Sequence, residues 1–257
     1  MLIDTVSVVM IVKNAEMTIK ASLESLKAFT EVILYVNDTS DATCSIARTY
    51  TNVKVIEGDF LGFGPTKNKA ASYAKNDWIL SLDSDEVLSS TFIESVQRLT
   101  LENTTVYSIL RTNFYKQQEI KYCWGNDVIV RLYHRQSTAF TLKKVHEHII
   151  VEGLNVAQIA GEVKHYPYAD LTDFILKLDR YSTIYAEDNA GKKSSSPLKA
   201  IANAHFSFFK TYFLKRGFLD GYAGLVIAFS HMATNFYKYM KLYEANKENT
   251  DKGKTCN

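Results

Sequence analysis

Two carboxylates spaced i and i+2, Asp83 and Asp85, follow the apolar run W-I-L-S-L (Trp78–Leu82). At the end of a strand both can turn toward one ligand. Oxygen ligands of this kind suit hard divalent cations, Mg2+ or Mn2+, which commonly bridge to phosphates. Such a cation would offset charge developing on a diphosphate leaving group. The same D-S-D-E run would also serve as a solvated loop capping the next helix. A second cluster is Gly62-Phe63-Gly64-Pro65-Thr66-Lys67-Asn68-Lys69. A glycine turn feeding a helix with two lysines can hold phosphate through backbone N–H groups and positive charge. It has neither P-loop spacing nor a dinucleotide fingerprint, and a plain turn before a solvated helix has the same pattern. The third cluster, Lys143-Lys144-Val145-His146-Glu147-His148, sets a carboxylate between two imidazoles, as an exposed polar strand also would.

These clusters need elements to hold them. The first hundred residues alternate short β-rich runs with helical patterns. Strands are predicted over Val6–Val12, Glu31–Val36, Val53–Ile56 and Trp78–Leu82, and helices over Ala15–Phe29, Asp41–Tyr50, Pro65–Lys75 and Ser90–Leu101. Asp38-Thr39-Ser40-Asp41 supplies turn and N-cap residues, and Pro65 suits a first helical turn. This β-α order predicts a parallel sheet with helices on both faces. Ligands then sit at the carboxyl ends of the strands, where Lys13-Asn14, Asn37-Asp38, Gly58-Asp59 and Asp83-Ser84-Asp85 fall. Beyond Thr105, Val106–Thr112 and Asp127–His134 predict strands that continue the sheet as mixed or antiparallel. Leu171–Tyr243 is mostly helical with one break at Gly191–Pro197, and the polar stretch Asn246–Asn257 reads as a frayed tail.

The 257 residues are 46% hydrophobic and 23% charged, which excludes a disordered, collagen-like or coiled-coil chain. The net charge of +2 conceals a division: residues 1–191 carry −5 and residues 192–257 carry +7. A basic terminal part predicts an anionic partner. Its lysines and Arg216 accompany Phe206, Phe208, Phe209, Tyr212, Phe213, Leu214 and Phe218, a composition suited to a helix lying in an anionic membrane interface, or to a core-packing helix with a solvated basic face. No nucleic-acid recognition module is legible. Three cysteines (Cys44, Cys123, Cys256) without metal-ligand spacing fit reduced thiols. With no secretory leader legible and no apolar run of membrane-spanning length, the expected location is cytoplasmic, peripheral to the inner face of the cytoplasmic membrane.

Taken in order, these pieces resemble the family 2 glycosyltransferases of GT-A fold. S-V-V-M-I-V-K-N (Ser7–Asn14) looks like that family's first strand, S-D-A-T-C-S-I-A (Ser40–Ala47) like its D-x-T helix start, and L-D-S-D-E (Leu82–Glu86) like its D-x-D element. G-F-G (Gly62–Gly64), R-L-Y (Arg131–Tyr133), V-H-E (Val145–Glu147) and G-F-L-D-G (Gly217–Gly221) are similar to the lipopolysaccharide-core β-glycosyltransferase branch. The strand-two segment Y-V-N-D-T-S-D-A-T is shorter than the family's turn, and Ala15 stands where the family often has Glu.

The resemblance implies an α/β, GT-A (Rossmann-like) mixed sheet flanked by helices, with a helical C-terminal segment. Residues 1–170 would be the catalytic domain, 171–245 a membrane-associating helical part and 246–257 a flexible tail. It implies an inverting transfer of a hexose from a nucleotide-diphosphate sugar, UDP-linked, to a lipid-anchored saccharide such as a lipopolysaccharide core. Asp83 and Asp85 would hold Mg2+ or Mn2+ and the donor. Lys13, Asn14, either Asn37 or Asp38, Gly62, Lys67 and Arg131 would line the nucleotide-sugar site. Glu147 would be the base that deprotonates the acceptor, and His146 would complete the metal site or orient the acceptor. The rival expectations are a nucleotidyltransferase and an inactive membrane-bound sugar-nucleotide-binding protein.

Overall fold

The runs Val6–Val12, Val32–Val36 and Trp78–Leu82 are buried on both sides, which is why they are continuous rather than alternating, whereas Val53–Glu57 at the end of the strand order is only partly buried. In the computed structural model, which describes residues 2–144 and 146–255, β1 spans Val6–Val12, β2 Val32–Val36, β3 Val53–Glu57 and β4 Trp78–Leu82. Successive strand residues face opposite ways. Val6, Val8, Met10 and Val12 of β1 therefore join one core with Leu34, Leu80 and Leu82, while Val9, Ile33, Tyr35 and Ile79 join another. Helices α1 (Ile19–Ser25), α2 (Thr43–Ala47) and α4 (Ser90–Arg98) close the first core with Ile19, Leu23, Ala47, Phe92 and Val96. Helix α3 (Phe63–Ala71) closes the second with Ala70 and Ala71.

The remaining strands are β5 (Glu86–Leu88), β6 (Thr105–Tyr115), β7 (Gln118–Glu119), β8 (Asn126–His134) and β9 (Asn155–His165). The order is β3-β2-β1-β4-β8-β6-β9-β5, with β7 paired to β6. Strands β1 to β4 are parallel, β8 is antiparallel to both β4 and β6, and β9 runs parallel to β6 and antiparallel to β5. This is the mixed, helix-flanked sheet expected of a GT-A architecture. Register pairs Val12 with Val36 and Met10 with Leu82, so the chain leaves β1, β2 and β4 at one edge.

Several boundaries differ from expectation for local reasons. Helix α1 is confined to Ile19–Ser25 rather than Ala15–Phe29, because the N–H groups of Ala15 and Glu16 are given to Thr43 Oγ1 and Asp41 Oδ2. Strands β5 and β9 were not legible. β9 is exposed over its first four residues and is interrupted by Gly161 at φ +92°, where a Cβ would stand 2.4 Å from the Phe92 nitrogen.

The chain divides into two units, Met1–Asn113 with Asn126–Pro167, and Phe114–Gly125 with Tyr168–Asn257. The second holds α5 (Leu171–Asn189), α6 (Pro197–Phe209) and α7 (Gly221–Thr255). The predicted break at Gly191–Pro197 is present, with Ser196 capping α6 by accepting from the Lys199 N–H at 3.2 Å. A second break was not foreseen. Helix α6 continues as a π-helical turn over Lys210–Leu214, and the left-handed Arg216 (φ +57°) and Gly221 (φ +55°) bracket a 3-10 turn before α7. Helix α7 runs on to Thr255, past the Asn246 at which the tail was expected to begin; Cys256 and Asn257 lie outside the described residues. Cys44 and Cys123 are free thiols, and burial with the nearby Asp220 pushes Cys123 up to about 12.

Buried Asp220 organises this unit. Its carboxylate accepts from the N–H groups of Lys121, Tyr122 and Cys123 at 3.0, 3.1 and 2.9 Å, and its carbonyl accepts from Gln118 Nε2 at 2.7 Å. Beside it, Trp124, Tyr168 and Phe174 stack, the last two 3.8 Å apart. Asp220→Ala strands three main-chain donors, and we expect urea unfolding to show a loss of about 3–5 kcal/mol; Asp220→Asn keeps one acceptor oxygen and loses less.

Candidate active site

The carboxyl end of β4 makes a closed turn. The Glu86 N–H donates to the Asp83 carbonyl at 3.1 Å, and the Asp83 N–H donates to Glu86 Oε2 at 2.9 Å. Asp85 is held from the far side, where the Tyr166 N–H donates to its carbonyl at 2.9 Å. The D-x-D element is therefore fixed by main-chain bonds before any ligand arrives.

The glycine turn before α3 has a different partner from phosphate. The N–H groups of Phe63 and Gly64 donate to the carbonyls of Lys144 and Lys143, at 3.0 and 3.2 Å. Gly62 adopts φ +100°, and a Cβ on Gly64 would come within 1.9 Å of the Thr141 carbonyl oxygen. Only glycine admits that approach. The approaching chain is a hairpin zipped by the Phe140–Ile149 bridge and by the Thr141 N–H to the His148 carbonyl at 2.9 Å. Asn68 on α3 clamps both main-chain groups of Phe140 at 2.9 Å. Glu147 sits near the tip of this hairpin.

This docking brings distant sequence together. Lys67, only 4% exposed on α3, contacts Glu147 Oε1 at 3.0 Å and Asp83 Oδ1 at 3.2 Å. Arg131 on β8 binds Asp83 Oδ2 at 2.8 Å. Arg111 on β6 lies 4.0 Å from the same oxygen, 3.3 Å from Glu86 Oε1 and 2.9 Å from Asp127. Buried charges persist only when compensated, and here Lys67, Arg111 and Arg131 face Asp83, Glu86 and Glu147. Burial alone would raise the Asp83 carboxyl, but Arg131, Lys67 and Arg111 hold it well below the usual carboxylate range. Burial, reinforced by the charge on Asp83, pushes the Glu86 carboxyl up.

Asp85 has separate company. His165, at the end of β9, places Nε2 3.6 Å from Asp85 Oδ2, while its Nδ1 meets Asn113 Oδ1 at 2.7 Å. With Nδ1 donating to the amide oxygen, a neutral imidazole turns its Nε2 lone pair toward a carboxylate oxygen. Two such lone-pair donors fit a divalent cation, and the amide fixes the ring as second-layer partners of metal ligands do. Asp83 fits a cation less well, because Lys67 and Arg131 already match its two oxygens. Among the described residues no group of three His, Cys, Asp or Glu side chains could hold a metal. Mg2+ characteristically takes one or two carboxylates together with water and substrate phosphate.

At the ends of β1 and β2, Lys13 pairs with Asp38, and its hydrogen bond holds the Asp38 carboxyl below its ordinary value. Asn14 and Asp38 are both left-handed, at φ +48° and +47°. Asn14 Oδ1 accepts from the Ser40 N–H at 2.9 Å, and the Asn37 N–H donates to the Val12 carbonyl at 3.1 Å. The D-x-T segment serves as the latch, Asp41 and Thr43 tying down the residues after β1. His146 is exposed and left-handed at φ +59°, and Val145 lies outside the described residues. The structure thus joins Lys67, Asp83, Arg131 and Glu147 in one network, and Lys13 and Asp38 with Asn14 in another cluster. Arg111, Glu86 and His165 were not among the predicted site residues.

Residues 7–154 match the model of the family described as Glycosyl transferase family 2. An uncharacterized glycosyltransferase of Rickettsia typhi is 28% identical over 93% of this chain and 87% of that protein. The lipopolysaccharide core biosynthesis glycosyltransferase LpsC of Rhizobium meliloti is 23% identical over 90% of this chain and 89% of that protein. A solved structure of S. aureus TarS residues 1–349 with UDP-GlcNAc is 15% identical, spans 97% of this chain and 92% of that one, and has a TM-score of 0.44.

The electrostatics of Asp83 carry a pH signature. A carboxyl whose folded pKa is depressed adds stability that is complete above its unfolded value, about 4, and fades as pH falls toward the folded value. In urea denaturation Asp83→Asn is expected to cost about 2 kcal/mol at pH 7, below the range for a fully buried pair because the side chain is partly exposed. The gap to wild type should shrink only below about pH 4.

Proposed function

Because the chain belongs to glycosyl transferase family 2, we propose that it transfers a hexose, with inversion, from a UDP-linked donor to a lipid-anchored saccharide of lipopolysaccharide-core type. The observation that carries this reading is the bridge from Glu147 through Lys67 to Asp83. It sets one carboxylate suited to be a base beside the strand end where a nucleotide-sugar would lie. The similarity to LpsC supports the choice of acceptor, and the reaction would take place at the inner face of the cytoplasmic membrane.

In this mechanism the acceptor hydroxyl oxygen bonds to the anomeric carbon as the bond from that carbon to the diphosphate breaks. The hydroxyl proton passes to the Glu147 carboxylate, and the nucleoside diphosphate departs with the bonding pair. Lys67 keeps Glu147 and Asp83 in one arrangement, so the base is positioned before the acceptor binds. Asp83 and Arg131 face the donor with Lys67 and Gly62. Lys13, Asn14 and either Asn37 or Asp38, at the ends of β1 and β2, contact the nucleotide. Asp85 with His165 would hold Mg2+ or Mn2+, which supplies Lewis-acid stabilisation of the leaving diphosphate. His146, exposed beside Glu147, orients the acceptor.

Incubation with UDP-hexoses, a divalent cation and lipopolysaccharide-core acceptor should release UDP; release of pyrophosphate instead would identify a nucleotidyltransferase. Glu147→Gln is expected to lower kcat by about 10²–10⁴-fold, with the donor KM little changed. His165→Ala should raise the cation concentration needed for half-maximal rate by about 10–100-fold.

A further inference from the structure

In the second unit the bend between α6 and α7 displays apolar side chains that nothing among the described residues covers. Phe209, Phe213, Leu214, Phe218, Leu219 and Tyr222 are each about half exposed or more, from 47% for Phe218 to 61% for Leu214 and Tyr222. They occupy a short, continuous stretch of chain, and exposed apolar patches of this extent on a folded protein mark a surface that binds something. The bend is firmly built. A Cβ on Gly217 would stand 2.7 Å from the Thr211 carbonyl oxygen, and Asp220 is buried with its carboxylate on three N–H groups.

Charge decides what covers this patch. Between Asp188 and Glu244 the sequence holds eight Lys and Arg residues against one acidic residue, Asp220. Asp220 is 2% exposed, and among the described residues only Lys241 of these cations pairs with a carboxylate, that of Asp179 at 2.7 Å, so the side chains at the bend carry unmatched positive charge. Lys210, Lys215 and Arg216 lie within the apolar stretch and are exposed. A second copy of this chain would bring the same positive charge to the contact. A bilayer of anionic phospholipid supplies both an apolar layer for the aromatic side chains and negative headgroups for the cations. No helix among the described residues is long and apolar enough to cross a membrane, so the element lies on the surface.

We propose that the α6–α7 bend is a membrane-docking element, inserting Phe213, Leu214 and Phe218 among the acyl chains of an anionic leaflet while Lys210 and Arg216 engage lipid phosphates. It deepens the lipid-anchored-acceptor reading by naming the surface that meets the lipid, and it rests on that reading for its purpose. The test is flotation of the full chain with vesicles of phosphatidylcholine alone or mixed equally with phosphatidylglycerol, alongside UDP release from donor in the absence of lipid. Wild type should float with the mixed vesicles, and Phe213→Ser with Leu214→Ser should lower the bound fraction about tenfold or more. Lys210→Glu with Arg216→Glu should abolish the preference for the anionic vesicles. All variants should keep wild-type UDP release and circular dichroism, since none touches the Asp83 network. Wild type that fails to float, or variants that float as wild type does, overturns the docking element whatever the enzyme does. A dimer in sedimentation velocity that the Phe213/Leu214 variant dissociates would reassign the patch to a second copy and equally overturn it. Loss of UDP release in wild type with flotation intact would instead count against the glycosyltransferase chemistry.

Discussion

One ammonium group, that of Lys67, holds the candidate-site end of the sheet together. It is nearly inaccessible to water, and it touches a carboxylate at the end of a parallel strand and another near the tip of a hairpin far along the chain. A buried cation without counter-charges would be severely destabilising, so α3, the end of β4 and the 138–150 hairpin must arrive together or not at all. Arg131 and Arg111 extend the same requirement to β8 and β6, because Asp83 and Glu86 are shared between them. The parallel half of the sheet is thereby coupled electrostatically to its antiparallel half, at the edge where the chain leaves β1 and β2 toward Asn14 and Asp38.

The opposite charges of the two parts of the chain take on different meanings in this light. In the first unit the carboxylates at the end of β4 are matched by buried cations or set beside His165. In the second unit the basic excess lies between Asp188 and Glu244, where the one acidic residue, Asp220, is turned inward to hold main-chain N–H groups. Near-neutrality of the whole chain is the sum of an acidic part and a basic one.

Strands β1, β2 and β4 were legible because burial on both faces writes them as unbroken apolar runs; β1 and β4 begin and end where the pattern says. The D-x-D element followed from its place after such a run. Strand β9 was silent because much of it is exposed and Gly161 interrupts it, and His165 at its end was hidden with it. Arg111 gave no signal, since a single arginine within a strand reads as a surface residue until its buried partner Glu86 is known. Lys67 and Glu147 were each visible as chemistry-bearing residues. Their union was not, because it depends on two glycines permitting a main-chain approach that no local pattern records.

That approach has an evolutionary reach. The hairpin bearing Glu147 is addressed through main-chain groups: carbonyls of Lys143 and Lys144, both polar groups of Phe140, and the rungs between Thr141 and His148. The side chains of Leu142, Lys143 and His146 take no part in these bonds and face solvent. Mutation can therefore rewrite what the tip presents to an incoming molecule while the carboxylate stays at its post. A scaffold that separates location from identity in this way lets a lineage change its clientele one residue at a time, without first dismantling the machinery that serves it.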